Sequence, residues 1–173
     1  MPPVDGIDDY HDDPGYIEAL ANRVQRFREQ HGPGDKLLIS WHGIPQAYVE
    51  QGDPYADQCE TTTRLLTEKL ALSNDDWFMS YQSRLGKAPW LQPYTDKTLE
   101  AWGQAGKIKV IDVICPGFSA DCLETLEEIN IQNRELFRRA GGVDLRYIPA
   151  LNDDREHIEA LANIVRKRLN APA

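Results

Sequence analysis

Four short apolar runs with β character alternate along this chain with stretches of helical periodicity, and no other feature of the sequence constrains the fold as strongly. The runs cover residues 36–41, 76–82, 107–114 and 144–148, each rich in Val, Ile, Leu, Phe or Tyr and bounded by turn residues. The spacing predicts helices over 14–31, 54–72, 96–104, 121–140 and 153–169. In the last of these, Ile158, Leu161, Ala162 and Val165 recur at helical spacing and form one apolar face. Strict alternation of strand and helix implies βαβ crossovers, hence a parallel sheet covered on both faces. The expectation is an α/β three-layer sandwich around a four-stranded parallel sheet, flavodoxin-like in its pattern. With 173 residues the chain is long enough for one domain with a full core.

In a parallel sheet all the strand carboxyl ends lie on one edge, and residues just beyond the strands cluster there. Here they are Trp41-His42, Gln82-Ser83-Arg84 and Cys115 to Asp121. His42, at the end of Lys36-Leu-Leu-Ile-Ser-Trp-His-Gly-Ile-Pro45, brings an imidazole to that edge. Opposite it, the predicted helix starting at Asp121 carries Glu124 and Glu128, four apart and so on one face, with Asp121 one turn earlier. A neutral imidazole facing carboxylates has two chemistries open to it: binding a divalent cation, or relaying protons that the carboxylates accept. Nitrogen ligation favours Fe(II) or Zn(II) over an oxygen-lined Mg(II) site. The plainer alternative is that Asp121 and Glu124 form a capping box, with Glu127 and Glu128 turned to water opposite Lys or Arg. His11, His31 and His157 have no comparable setting and read as surface or turn residues. The loop from Gln82 to Thr95 is too rich in Gly and Pro for regular structure, yet it carries Trp90 and Tyr94. They suit a flat aromatic ligand, or, for Trp90, a small core beneath the loop.

Charge and cysteine usage exclude several classes. Nineteen basic against twenty-eight acidic residues give a net charge of -9 with no basic stripe, which disfavours nucleic acid as a partner. No apolar run approaches the roughly 20 residues of a membrane span, and the acidic start lacks the basic and apolar regions of a signal peptide, so a cytoplasmic protein that is not integral to a membrane is expected. Cys59, Cys115 and Cys122 have no Cys-x-x-Cys spacing and read as reduced, mostly buried thiols.

One internal repeat bears on organisation. Asp12-Asp13-Pro-Gly-Tyr-Ile-Glu-Ala-Leu-Ala-Asn22 recurs as Asp153-Asp154-Arg-Glu-His-Ile-Glu-Ala-Leu-Ala-Asn163. The second copy follows a strand and closes a domain, whereas the first follows nothing. A duplication is therefore expected, with residues 1–31 as linker and closing helix of an earlier, similar half and 32–173 as the α/β domain proper.

Several motifs together resemble one known family. Ser40-Trp-His-Gly-Ile-Pro45, Gly52-Asp-Pro-Tyr55, Thr61-Thr-Thr63, Gln82-Ser-Arg84, Pro89-Trp-Leu91, Thr95-Asp96 and Cys115-Pro-Gly-Phe-Ser-Ala-Asp-Cys-Leu-Glu-Thr-Leu-Glu-Glu128 follow one another as in the C-terminal half of ferrochelatase. The resemblance runs from about Tyr10 to the end and implies a chelatase-like fold. It also implies a lyase that inserts Fe(II) into protoporphyrin IX or a related porphyrin in heme biosynthesis. By that resemblance His42 and Glu124 are the catalytic pair, and which removes protons and which delivers metal stays open. His42, Glu124, Glu128 and Asp121 are the metal-handling groups, and Gln82 and Trp90 line the porphyrin pocket. Some members carry a [2Fe-2S] cluster on a cysteine-rich C-terminal extension; no such cysteines follow Cys122, so no cluster is expected.

Full-length relatives close their cleft between two halves, so a partner is implied, either a homodimer or a complementing N-terminal half. The competing reading is a porphyrin- or metal-binding half-domain without turnover of its own. A flavodoxin-like phosphate-binding or receiver domain is disfavoured because no Gly-rich loop follows the first strand.

Overall fold

The computed structural model describes residues 6–170; the first five residues of the expected linker and the last three of the expected domain lie outside the described residues. The chain begins with helix α1 (Pro14–His31), started by Asp13, whose Oδ1 accepts the backbone N–H of Gly15 at 2.9 Å and of Tyr16 at 3.2 Å. Strand β1 (Lys36–His42) follows, then a short helix α2 (Gln46–Glu50), helix α3 (Tyr55–Lys69), strand β2 (Trp77–Gln82) and helix α4 (Thr95–Ala105). Strand β3 (Val110–Ile114), a π-helical segment (Glu124–Asn133) running into α5 (Arg134–Ala140), strand β4 (Asp144–Tyr147) and helix α6 (Arg155–Leu169) complete the described chain.

The four strands form one parallel sheet in the order β2-β1-β3-β4. Along β1 successive side chains point to opposite faces, so Leu37 and Ile39 enter one core and Leu38 the other. On the first face the sheet is covered by Ile17, Leu20, Ala21 and Val24 of α1 with Cys59 and Leu66 of α3; on the second by Leu99 of α4, Ile129 of the π segment and Phe137 of α5. Each large side chain buried this way is worth about 1.5–3 kcal/mol. The α/β three-layer expectation holds, and the all-parallel open sheet flanked by helices is consistent with a chelatase-like fold. At Gly103 the second layer closes tightly: a Cβ there would lie 2.6 Å from that of Ala140, so α4 and α5 pack together only because the side chain is missing.

The ends of the predicted elements shift for identifiable reasons. β1 runs one residue further than expected, so His42 is its last residue and pairs in register with Gln82 of β2. β3 starts at Val110 rather than Lys107, because Asp35 Oδ2 accepts the N–H groups of Lys109 at 2.6 Å and Val110 at 2.9 Å and ties the approach into a turn. His157 is not a surface residue: it is buried where α6 meets α1, and its Nδ1 bonds the Asn152 carbonyl at 2.8 Å. The three cysteines are free, with Cys59 and Cys115 buried. Burial pushes the Cys59 thiol up to about 12 and raises that of Cys115 well above its ordinary value. No helix among the described residues is long and apolar enough to cross a membrane.

Candidate functional site

The strand order reverses direction at β1, and the carboxyl ends of β1 and β3 flank the crevice where doubly wound sheets bind ligands. His42 stands at that point. Its Nδ1 lies 2.6 Å from the carbonyl oxygen of Gly43. A carbonyl can only accept, so the neutral ring carries its proton on Nδ1 and keeps the lone pair on Nε2. Nε2 has no hydrogen-bond partner among the described residues.

The backbone around His42 is held from three sides. Tyr55 donates its hydroxyl to the His42 carbonyl at 2.9 Å, and Asp53 fixes the start of α3 by accepting the Tyr55 N–H at 2.9 Å. Trp41 donates its indole N–H to Thr63 Oγ1 at 3.0 Å. Gly43 donates its N–H to the Gln82 carbonyl at 2.7 Å, and a Cβ on it would sit 3.0 Å from that oxygen and 3.2 Å from Trp90. This close approach needs glycine. The clustered motifs Trp-His-Gly, Asp-Pro-Tyr and Thr-Thr-Thr thus describe one mounting for a single imidazole.

Trp90 is fixed as well. Pro45 and Trp90 form an antiparallel bridge, Leu91 donates its N–H to Ile44 at 3.0 Å, and the Trp90 indole N–H reaches the Leu85 carbonyl at 3.0 Å. The loop is therefore stitched to the segment after His42, a pairing its Gly and Pro content concealed. Downstream, Arg84 bonds Asp96 at 2.5 Å and lies 4.0 Å over the Tyr94 ring. The rings of Trp90 and Phe118 stand 6.4 and 6.1 Å from that of His42.

The carboxylates arrive on the π segment, where a regular α-helix was expected. A π-helix bonds i to i+5 and is rare; here side chains satisfy two of its carbonyls. Gln82 Nε2 donates to the Glu124 carbonyl at 2.8 Å, and Asn133 Nδ2 donates to that of Glu128 at 2.9 Å. Glu124 and Glu128 lie on the same open pocket of about 520 Å³, together with His42, Trp90, Leu123 and Glu127. Leu85 and Leu123 are strongly exposed at its rim, and Arg84 lines it as well.

Each expected site residue has a distinct setting. Glu124 is half-buried, and its carboxyl is held below the usual range by the Cys122 side chain first, then by its own backbone N–H, with the nearby His42 adding to the effect. It is ionised at neutral pH. Glu128 is half-buried at the pocket wall and bonded within the protein. Its carboxylate accepts from the Ser83 N–H at 2.8 Å, the Ser83 hydroxyl at 2.5 Å and Gln82 Nε2 at 3.3 Å. Ser83 makes this clasp with φ at 61°, a left-handed conformation that non-glycine residues rarely adopt.

Asp121 stands apart from the pocket, and Gln82 lies beside it. Asp121 precedes the helix and faces β4, where its carboxylate accepts from the Tyr147 hydroxyl at 2.6 Å, Asn152 Nδ2 at 2.9 Å and the Ala150 N–H at 3.1 Å. Burial alone would raise its pKa, but these bonds outweigh it and the net shift is downward. The expected capping box does not form, because the Asp121 N–H goes to Asn152 Oδ1 at 2.9 Å instead. Gln82 is buried, its Oε1 accepting from Ser40 at 2.8 Å, and it braces the π segment beside the pocket, lining the adjoining cavity with Ser83 and Glu128. Among the described residues the one trio of His, Cys, Asp or Glu side chains with ligating atoms within 4.8 Å of one another is Asp9, His11 and Asp12, all distant in sequence from this edge. His42, Glu124 and Glu128 therefore make an open row, and Asp121 is set behind it.

Sequence reasoning missed Ser83 and Phe118. Ser83 was legible only as the residue after a strand, and its clasp on Glu128 depends on a helix 45 residues away.

The comparisons with known proteins agree in one direction. A family model described as Ferrochelatase matches residues 1–169. The chain is similar to a ferrochelatase of Vibrio parahaemolyticus serotype O3:K6, 56% identical over 169 residues, covering 98% of this chain and 52% of the relative. It is 52% identical over 171 residues to one from Acinetobacter baumannii, covering 99% and 50%, and 53% identical over 163 residues to one from Thioalkalivibrio sulfidiphilus, covering 94% and 44%. The chain spans about half the length of the curated relatives it matches.

Proposed function

The chain belongs to the ferrochelatase family, and from that premise we propose that the pocket between β1, the Trp90 loop and the π segment is one wall of a site that inserts Fe(II) into protoporphyrin IX, or a related porphyrin, in heme biosynthesis. The observation that carries this reading is the bare Nε2 of His42, which shares an open pocket with the ionised Glu124 and with Glu128. Insertion replaces two pyrrole N–H protons by a dication, so a ring face needs a base and metal-tolerant oxygens close by. His42 Nε2 supplies the base and Glu124 the charge that stabilises an imidazolium or a metal ion in transit. Glu128, clasped by Ser83, keeps the row aligned. Trp90 and Leu123 offer the apolar surface on which a flat macrocycle lies. The iron stays ferrous throughout, and the two protons leave by way of the carboxylates to water. Asp121, with its lone pairs committed, supports the loop before the π segment.

The test is anaerobic incubation with Fe(II) or Zn(II) and porphyrin, following the visible absorption bands, in the wild-type chain together with a complementing half. His42→Ala and Glu124→Ala are each expected to slow insertion at least about 100-fold, the scale of a lost acid–base group. Equal rates for wild type and His42→Ala would show the assignment wrong. A second reading is favoured by the openness of the pocket: the chain alone binds porphyrin without turning it over. Porphyrin fluorescence that shifts on titration while the absorption bands of the metallated ring never appear is the outcome expected for it.

A further inference from the structure

Among the described residues three that are not glycine adopt a left-handed backbone: Ala71, Ser83 and Asn152. Ala71 only ends α3, but the other two act on the same segment. Ser83 follows β2, one outer strand of the sheet, and clasps Glu128 in the middle of the π segment. Asn152, with φ at 51°, follows β4, the opposite outer strand, and holds the approach to that segment. Asparagine tolerates this conformation because its short polar side chain bonds locally.

Every polar group of Asn152 is engaged. Its Oδ1 accepts the Asp121 N–H at 2.9 Å, and its Nδ2 donates to Asp121 Oδ2 at 2.9 Å and to the Ala150 carbonyl at 3.1 Å. Its own N–H goes to the Ser119 carbonyl at 2.9 Å, and its carbonyl accepts from His157 Nδ1 at 2.8 Å. His157 makes that bond while its buried Nε2 has no partner, so the ring gives up one hydrogen bond in order to hold Asn152. Tyr147 and Ala150 also bind Asp121, but both through Oδ1 of its side chain. Asn152 takes the backbone N–H that leads into the π segment. Its grips on Ser119 and Asp121 stand between Phe118, whose ring is 6.1 Å from that of His42, and Glu124, the first π residue. Asn152 itself does not line the pocket.

We propose that Asn152 is a positioning residue for metal insertion: by holding Ser119 and Asp121 it sets where Phe118 and Glu124 stand against His42, without touching the substrate. The inference rests on the catalytic reading given above. Phe118 and Glu124 reach His42 from the two ends of one short stretch of chain, so a slack grip between them moves both at once. Misplacement of a reacting group by about 1 Å costs about 100-fold in rate, which makes a contact outside the pocket able to govern turnover inside it.

The test measures insertion of Zn(II) into porphyrin by the chain with a complementing half, per folded molecule as counted by circular dichroism, so that a mere loss of stability leaves kcat unmoved. Asn152→Gly keeps the left-handed backbone, which glycine adopts freely, and removes the side chain alone. It is expected to lower kcat about 10-fold with the KM for porphyrin within about twofold of wild type, because the pocket walls are intact. Asn152→Asp sets a second carboxylate against Asp121 and is expected to lower kcat about 100-fold. Adding Asp121→Asn to it supplies an amide donor for the new carboxylate and is expected to recover at least about 10-fold. As a second readout, free of porphyrin and metal, Cys122 in the chain alone is expected to react with a maleimide about 10-fold faster in Asn152→Gly than in wild type. A wild-type kcat or a wild-type Cys122 labelling rate in Asn152→Gly, or no recovery in the double variant, would overturn the proposal. His42→Ala is run beside them: a wild-type rate there breaks the catalytic reading, whereas a slow His42→Ala with a full-rate Asn152→Gly breaks this inference alone.

Discussion

The two ends of the sheet handle acidic groups in opposite ways. At the amino-terminal end Asp112 on the central strand β3 is fully buried, and four donors converge on it: Arg28 Nε at 3.2 Å, the Gly34 N–H at 2.8 Å, and Arg146 Nε and Nη2 at 2.8 and 2.5 Å. Arg146 also bonds the carbonyls of His31 and Gly32, each at 2.9 Å, and so pins the end of α1 to β4. At the carboxyl end Glu124 lines an open pocket and His42 keeps a free lone pair. One end is a closed electrostatic clamp, the other an open one. A parallel sheet permits this because every strand leaves at the same edge, so the connections that carry chemistry collect on one side and the opposite side is left to hold the layers together.

The comparison breaks hardest at the clamp. Asp112→Ala leaves two partly buried guanidinium groups without their shared carboxylate and is expected to cost about 3 kcal/mol of unfolding free energy. Urea unfolding followed by circular dichroism measures it; a loss under 1 kcal/mol would mean that the clamp is not what secures α1. Glu128 lies at the open end but is bonded like a clamp residue, so Glu128→Gln sharpens where the boundary runs. The amide puts an N–H₂ against the Ser83 donors, and a cost of about 1–3 kcal/mol by the same measurement is expected.

The smallest effect is in pH. The folded-state pKa of Asp121 is lowered, so its contribution to stability is present above the unfolded value and is lost as pH falls through the folded one, below the ordinary carboxylate range of about 3.9. Unfolding curves between pH 7 and 3 are expected to show a shallower acid loss in Asp121→Asn than in wild type. An unchanged acid slope would detach Asp121 from the network around Tyr147.

The sequence carried the layered architecture openly, because period-two and helical periodicities are local and their alternation leaves few topologies. His42 was legible as a strand-end residue for the same reason, and the duplicated helix by plain identity. The row of acids was legible only in part. Glu124 and Glu128 were readable as neighbours on a helix, but the π-helical winding that presents them depends on Gln82 and Asn133 reaching backbone carbonyls, the first of these from another strand. Gln82 and Asp121 illustrate the converse: residue types suited to a pocket that tertiary partners claim for the framework.

What the amino-acid sequence determined alone is the order of strands and helices, the edge on which the reactive residues emerge, and the equivalence of α1 and α6. What only the tertiary structure decided is which carboxylates are committed and which nitrogen of His42 is free. Those depend on hydrogen bonds and packing between residues far apart in the chain, and local sequence carries no record of which partner arrives first at a shared acceptor.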